Sequence, residues 1–373
     1  MKINFVLPFI GLSGGVKVVF EYANLLTEEG HDVKVIYPFI DKGSKLKSII
    51  KLINSINPLH NSSVKWFDLK ATLLPVPTLN ERFIPDADII VATWWETAHI
   101  ISDYKPRKGE KFYLIQSYED WGGPKEEVDN SYKLGLHNIV ISNWLKYKIE
   151  SVGGSINKLI FNGVDFNEFY PDKKTKSTNE IRILMPYRPA KLKGMEDGLK
   201  AIELVRNKHK NIKLVLFGPE PNIKLPDYVE FHVYPISGEL RELYNSCDLF
   251  LFPSHFEGFG LPPMEAMACK IPVATTNVGA IPDYTIPGKT ALVSEPHSPQ
   301  DLAENLIKLI DDKNLRSSIA KAGYEYIQQF NWESSKNKLE NLFKYTLMSN
   351  NNYNSLNELK TVSNYTRIKE TTS

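Results

Sequence analysis

The sequence predicts an α/β protein made of two doubly wound parallel-sheet domains. Three observations carry that expectation. Short apolar, β-rich runs alternate with helical patterns along almost the whole chain. The series restarts after a polar, proline-containing stretch near the middle. A length of 373 residues also exceeds what one ordinary core accommodates.

In the first half the expected strands are Ile3–Phe9, Asp32–Tyr37, Val64–Phe67, Asp88–Thr93, Phe112–Ser117, Ile139–Ser142 and Leu159–Phe161. The second series is Arg182–Tyr187, Lys213–Phe217, Val229–Tyr234, Leu249–Pro253, Ile271–Thr275 and Leu292–Ser294. Between them, Tyr170-Pro171-Asp172-Lys173-Lys174-Thr175-Lys176-Ser177 has the charge and proline of a linker. The expected division is 1–170 for the first domain and 171–330 for the second, then a helix over 331–348 returning to the first domain and a polar tail over 349–373. The tail has no hydrophobic periodicity and is expected to be disordered.

Composition narrows the function classes. With 42% hydrophobic and 24% charged residues the chain reads as soluble and globular. A net charge of +1 excludes nucleic acid as the main partner, because neutralising a phosphate backbone takes a clear basic excess. Cys247 and Cys269 lie in apolar surroundings and make neither a disulfide framework nor a metal site, which fits a reducing cytoplasm. The start, Met1-Lys2 followed by Ile3 to Ile10, lacks a small-residue cleavage site and reads as a strand rather than a signal peptide. No apolar run reaches the length of a bilayer span, so any membrane contact is expected to be peripheral, on the inner face. The segment Lys45–Ile53 mixes basic and apolar residues. An ordinary amphipathic surface helix is the first reading of it, an anionic membrane surface the second.

Open parallel sheets bind ligands beyond the carboxyl ends of their strands. In the first half those ends deliver Gly11-Leu12-Ser13-Gly14-Gly15, Trp94-Trp95-Glu96, Tyr118-Glu119-Asp120-Trp121 and Asn143-Trp144. In the second they deliver Arg188 to Gly194, Gly218-Pro219-Glu220 and His255 to Pro263. Two such edges imply a cleft between the domains.

The most informative run is Phe252 to Ala268. A strand ends, Gly258 and Gly260 permit an irregular turn with free amides, and Pro262 and Pro263 suit the first turn of a helix. Free N–H groups and a helix dipole aimed at one loop form an anion cradle. Glu257 and Glu265 would repel a phosphate they touched, so they suit hydroxyls, one on a sugar and one on a ribose. The plainer alternative makes Glu265 a helix N-terminal preference and Glu257 a solvated loop residue. Arg188 and Lys193 supply cations that can stabilise a departing diphosphate without a metal, with a solvated basic loop as the alternative.

Taken with Gly14-Gly15 and Asn162-Gly163-Val164-Asp165, these motifs resemble the retaining glycosyltransferases of family four, in order and spacing, over residues 1–347. The resemblance implies the GT-B fold, two Rossmann-like domains facing a cleft, with the donor mainly on the C-terminal domain and the acceptor on the N-terminal one. It implies an enzyme that moves a sugar, with retention, from a nucleoside-diphosphate sugar to a hydroxyl of a carbohydrate or lipid-linked saccharide, in cell-surface polysaccharide or glycan synthesis. No metal and no cofactor beyond the donor substrate are expected. Position by position, it assigns Arg188 and Lys193 to the diphosphate, Glu257 to the transferring sugar and Glu265 to the ribose; Arg188, Lys193 and Glu257 form the catalytic set. Gly258, Phe259, Gly260 and Leu261 would add contacts to the donor. Gly14 and Gly15 would approach the diphosphate from the other domain, and Tyr234 and Ile236 would flank the base.

One departure is that the histidine many members carry after the fifth N-terminal strand is absent from the run Leu114-Ile115-Gln116-Ser117-Tyr118-Glu119-Asp120-Trp121. The Gln116-x-Tyr118-Glu119 pattern is similar to members that use deoxythymidine-diphosphate rhamnose. Trp94, Trp95, Tyr118 and Trp121 are candidates for stacking on acceptor sugars, with core packing the equal alternative. Asp86-Ala87-Asp88 matches a metal motif of another transferase fold but precedes its strand, at the wrong end, and reads as a turn. His255, beside Glu257, is a further candidate for a sugar hydroxyl. Two rival functions fit the same motifs: a nucleotide-sugar epimerase, and a non-catalytic sugar-nucleotide-binding subunit.

Overall fold

The structure, a computed structural model, describes residues 1–39, 64, 66–172, 180–221, 225–235 and 237–349. The segment Lys45–Ile53, the linker residues 173–177, Ile236 and the tail from residue 350 lie outside the described residues.

Two all-parallel sheets organise the chain. The first holds β1 (Lys2–Val6), β2 (Asp32–Pro38), β3 (Thr72–Val76), β4 (Ile89–Ala92), β5 (Glu110–Ile115), β6 (His137–Val140) and β7 (Lys158–Leu159), in the order β3-β2-β1-β4-β5-β6-β7. The second holds β8 (Ile181–Pro186), β9 (Ile212–Gly218), β10 (Val229–Val233), β11 (Leu249–Phe252), β12 (Val273–Thr276) and β13 (Leu292–Ser294), in the order β10-β9-β8-β11-β12-β13. Each order runs outward one way from its first strand and then reverses, which is the doubly wound arrangement of a Rossmann-like sheet. Central strands are covered on both faces, so β4 and β11 are buried at every position and read as unbroken apolar runs, Ile89-Ile90-Val91-Ala92 and Leu249-Phe250-Leu251-Phe252.

The crossover helices follow from their periodicity. The helix Gly14–Glu28 opens on Ser13, whose hydroxyl accepts from the Val16 N–H, and buries Val16, Val19, Phe20, Ala23 and Leu26 at helical spacing. Its polar face carries Lys17 and Glu21 toward the second domain.

One expected strand is corrected. Of the expected strand Val64–Phe67, the described residues Val64, Trp66 and Phe67 lie in no strand; Trp66 and Phe67 instead pack their rings on Phe20 at 5.4 Å each. The strand of that crossover is Thr72–Val76, which contains Pro75. It pairs with β2 alone, at the sheet edge, where a residue with no N–H to donate is tolerated.

The chain passes between the domains twice, side by side. Val164 donates to the Phe330 carbonyl at 3.0 Å and bridges Asn331. A Cβ on Gly163 would stand 2.2 Å from the Trp332 nitrogen, so only glycine fits this crossing. Beyond it a helix over 332–349 lies on the first domain. Trp332 meets Tyr22 edge-on at 5.3 Å, Phe343 meets Phe112 at 4.7 Å, and Glu340 binds the His31 ring at 2.8 Å.

Candidate active site

Each sheet reverses direction once, between β1 and β4 in the first domain and between β8 and β11 in the second. The loops after these four strands carry Gly14-Gly15, Trp94-Trp95, Arg188 to Gly194 and Pro253 to Gly260. The sequence motifs therefore flank both topological switch points, where such sheets open a crevice.

In the second domain the two motif loops are tied to each other. The Leu192 carbonyl accepts from the His255 and Phe256 amides at 2.9 and 3.1 Å and from the Ser254 hydroxyl at 3.2 Å. Gly194 sits at φ 63, and a Cβ there would stand 1.9 Å from the Pro253 carbonyl oxygen. The closeness of the loops thus depends on that glycine. As a result Lys193 Nζ reaches Glu257 Oε2 at 2.9 Å and the Phe256 carbonyl at 3.2 Å. The other Glu257 oxygen accepts from the Ser254 hydroxyl at 2.8 Å. Glu257 is therefore fixed through both oxygens. The partly exposed Arg188 guanidinium reaches only the adjacent Tyr187 carbonyl, at 3.3 Å, and pairs with no carboxylate among the described residues.

Glu265 is not the helix N-terminal residue of the plainer alternative. The helix Leu261–Ala268 starts after Gly260, with Pro262 and Pro263 in its first turn, so Glu265 lies beyond that turn and is 8% exposed. Its Oε2 accepts from the buried Tyr244 hydroxyl at 2.9 Å; its Oε1 faces Lys17 Nζ of the first domain at 3.5 Å. Burial raises the Tyr244 phenol, which keeps it a donor.

Lys17 is a site residue that the sequence pattern did not reveal. Its ammonium meets Glu168 at 3.7 Å as well as Glu265, and lies over the Phe169 ring at 5.1 Å. Burial works against the charge, but Glu265, Glu168 and Glu21 outweigh it and hold the ammonium above its ordinary range. Burial also pushes the Glu21 carboxyl up to about 7, against the pull of Lys17. The only early signal was position: Lys17 lies in the first turn of the helix that opens at Gly14-Gly15.

Three further contacts span the domains. Trp144 donates its indole N–H to the Gly258 carbonyl at 2.9 Å and packs edge-on against Phe256 at 5.4 Å. Asn143 donates from its backbone and its side chain to the two Asp283 oxygens, at 2.9 and 2.7 Å. A Cβ on Gly258 would stand 2.0 Å from the Gln116 carbonyl, and the Gln116 amide donates to Gly15 O at 3.1 Å. Gly258 and Gly15, assigned to one donor from opposite domains, thus meet through Gln116. Phe259 is 5% exposed, packed on Tyr284. Tyr234 is half exposed at φ 42, with its amide on Gly218 O at 2.9 Å.

The aromatic candidates separate. Trp95 and Tyr118 are 6% and 3% exposed and belong to the first core, so they offer no free face to a sugar. Trp94 and Trp121 form an edge-on pair at 5.2 Å, with Trp121 62% exposed, and retain one. Beneath them Glu119 is buried, accepting from the Trp95 amide at 2.9 Å and the Tyr113 hydroxyl at 3.3 Å; burial pushes its carboxyl up to about 8. In the Asp86-Ala87-Asp88 turn, Asp86 binds Lys108 at 2.8 Å and Asp88 caps the Lys2 amide at 2.7 Å, at the amino end of β4.

Two Rossmann-like domains, with charged and glycine-bearing loops at both switch points, make up a GT-B fold. Residues 166–326 match the model of the family described as Glycosyl transferases group 1. It is 28% identical over 386 residues to the capsular polysaccharide biosynthesis glycosyltransferase CapM of Staphylococcus aureus, covering 92% of this chain and 99% of that one. It is 30% identical over 192 residues to a D-inositol 3-phosphate glycosyltransferase of Paenarthrobacter aurescens, covering 46% and 47%. Among solved structures it is similar in fold to Anabaena Alr3699/HepE in complex with UDP and glucose, with a TM-score of 0.74 at 16% identity, over 92% of this chain and 99% of that one. A sucrose-phosphate synthase of Thermosynechococcus elongatus gives 0.71 at 18%, over 93% and 99%. Among the described residues no helix is long and apolar enough to cross a membrane.

Proposed function

We propose that the chain is a glycosyltransferase that moves a sugar, with retention, from a nucleoside diphosphate to a hydroxyl of a carbohydrate or lipid-linked saccharide, without a metal, in the synthesis of a surface polysaccharide. The observation that carries this reading is the pair of tied loops, in which Lys193 and Glu257 meet at 2.9 Å and the Arg188 guanidinium of the same loop is bound to no carboxylate among the described residues. Arg188 would take the diphosphate. Lys193, already neutralised by Glu257, would turn toward the phosphate as negative charge develops on it.

Because Ser254 and Lys193 hold both Glu257 oxygens, that carboxylate suits binding a sugar hydroxyl better than attacking carbon. In this reading the bond from the anomeric carbon to the diphosphate oxygen breaks while the acceptor oxygen bonds on the same face. The acceptor's proton passes to the departing phosphate. Glu265 would accept from the ribose, aided by Tyr244, and the Trp94–Trp121 pair would stack on the acceptor. The relation to a capsular polysaccharide transferase and the fold of a protein crystallised with UDP and glucose support this choice of substrates. The Gln116-x-Tyr118-Glu119 pattern keeps deoxythymidine-diphosphate rhamnose among the donors to try.

The test is thermal stabilisation by uridine, guanosine, adenosine and deoxythymidine diphosphates, with and without chelator, followed by transfer from the matching sugar donor. Stabilisation by one base regardless of chelator, and a product with the donor's anomeric configuration, are expected. An inverted product, chelator-sensitive binding, or release of epimerised free sugar without acceptor would each replace part of this reading.

A further inference from the structure

Outside the charges assigned to the donor, three side chains from separate elements converge at the carboxyl edge of the second sheet. Asp197 stands in the first turn of the helix Met195–Lys208, His255 follows β11 and His297 follows β13. His255 Nε2 lies 2.8 Å from Asp197 Oδ2, and the His255 and His297 ring centroids are 3.8 Å apart. One ligand atom from each residue lies within 4.8 Å of the other two.

We propose that Asp197, His255 and His297 form a binding site for a divalent transition ion of the zinc type, separate from the sugar-transfer chemistry. Two imidazoles and one carboxylate are a zinc donor set that leaves a coordination position open, and imidazole selects zinc, cobalt or nickel over magnesium and calcium. Two features set this cluster apart from a histidine merely bonded to an aspartate. First, His297 holds φ 64, the left-handed region that a residue with a Cβ rarely occupies. That backbone brings its ring against His255. Second, the exposed His297 ring has no hydrogen-bond partner among the described residues, although it lies against the half-buried Asp197–His255 pair.

Bonds of about 2.0–2.2 Å need ligand atoms closer than the present limit of 4.8 Å. The exposed His297 can supply the movement by side-chain rotation. The Asp197 and His255 side chains, 14% and 15% exposed, are already held in place. If the carboxylate stays on the His255 ring instead of ligating, it would still fix that ring's tautomer for the ion.

The experiment is a cobalt(II) titration of the full chain stripped of metal, followed by visible absorption, with zinc displacing the cobalt. One ion per chain is expected. His297→Ala, a change at an exposed side chain, should abolish the absorption, and His297→Cys should restore binding with a thiolate charge-transfer band. Asp197→Asn should weaken binding about tenfold or more. Unchanged cobalt affinity in His297→Ala, or no stoichiometric binding by the parent chain, overturns the proposal.

Discussion

At the scale of single residues, Glu257 and Glu265 divide the labour of one loop. Glu257 is locked by Ser254 and Lys193 on the sugar side, while Glu265 is buried between Tyr244 and Lys17. Glu257→Gln should therefore lower kcat with little change in the donor's KM, and Glu265→Gln should chiefly raise that KM; steady-state kinetics separates the two. Removing Lys17 leaves Glu265 and Glu168 facing each other without a cation. Lys17→Ala should destabilise the chain by roughly 2 kcal/mol, below the loss for a fully buried pair because part of the side chain reaches water. Urea unfolding measures it. Glu119 supplies the pH dependence that reaches highest, with Glu21 adding to it below about 7. Folded, it keeps its proton up to about 8, whereas the unfolded chain releases it near the ordinary 4.5. Between those values the unfolded state binds fewer protons, so stability falls as pH rises, with a slope of up to about 1.4 kcal/mol per pH unit. Glu119→Gln, which stays neutral, should flatten that part of the curve in denaturant melts across the same range.

At the scale of elements, local pattern was informative wherever burial is two-sided. Strands such as Leu249–Phe252 and Ile89–Ala92 are apolar throughout because helices cover both faces, and their positions were legible within a residue or two. Pattern failed at the edge, where Pro75 disguised β3 and the aromatic run around Trp66 imitated a strand while serving as packing for Phe20. The motif loops were legible because glycines and prolines mark conformations few other residues adopt. Lys17 and Trp144 were not legible as site residues, since an amphipathic helix and a tryptophan after a strand carry no chemical signature until another domain faces them. Gly194 makes the strongest prediction at this scale. A Cβ there meets the Pro253 carbonyl at 1.9 Å, so Gly194→Ala should destabilise the second domain by roughly 3 kcal/mol and separate Lys193 from Glu257. Thermal unfolding with and without nucleoside diphosphate reads both effects.

At the scale of the whole molecule, the two domains are held against each other by few directional contacts. Asn143 on Asp283, Trp144 on Gly258 and Gln116 between Gly15 and Gly258 all lie beside the cleft. Asp283→Ala combined with Trp144→Phe removes three hydrogen bonds and leaves both cores intact. The double variant should show a larger radius of gyration by small-angle X-ray scattering without donor, and a raised KM for donor with it. An unchanged radius would mean that the packed surfaces and the Lys17–Glu265 pair hold the closed arrangement. Interfaces of this kind within a chain commonly open and close.

The helix over 332–349 also sets an order of events during synthesis. Trp332, Leu339 and Phe343 are 7%, 1% and 0% exposed against the first domain, each contributing about 1.5–3 kcal/mol when fully buried. Domains generally fold as they emerge from the ribosome, the N-terminal one first. Here the domain made first is the one completed last, because its final wall is not translated until the second domain is finished. Until then the surface around Tyr22 and Phe112 is an open apolar face that invites chaperones or aggregation, and a chain stopped after residue 330 would retain it permanently.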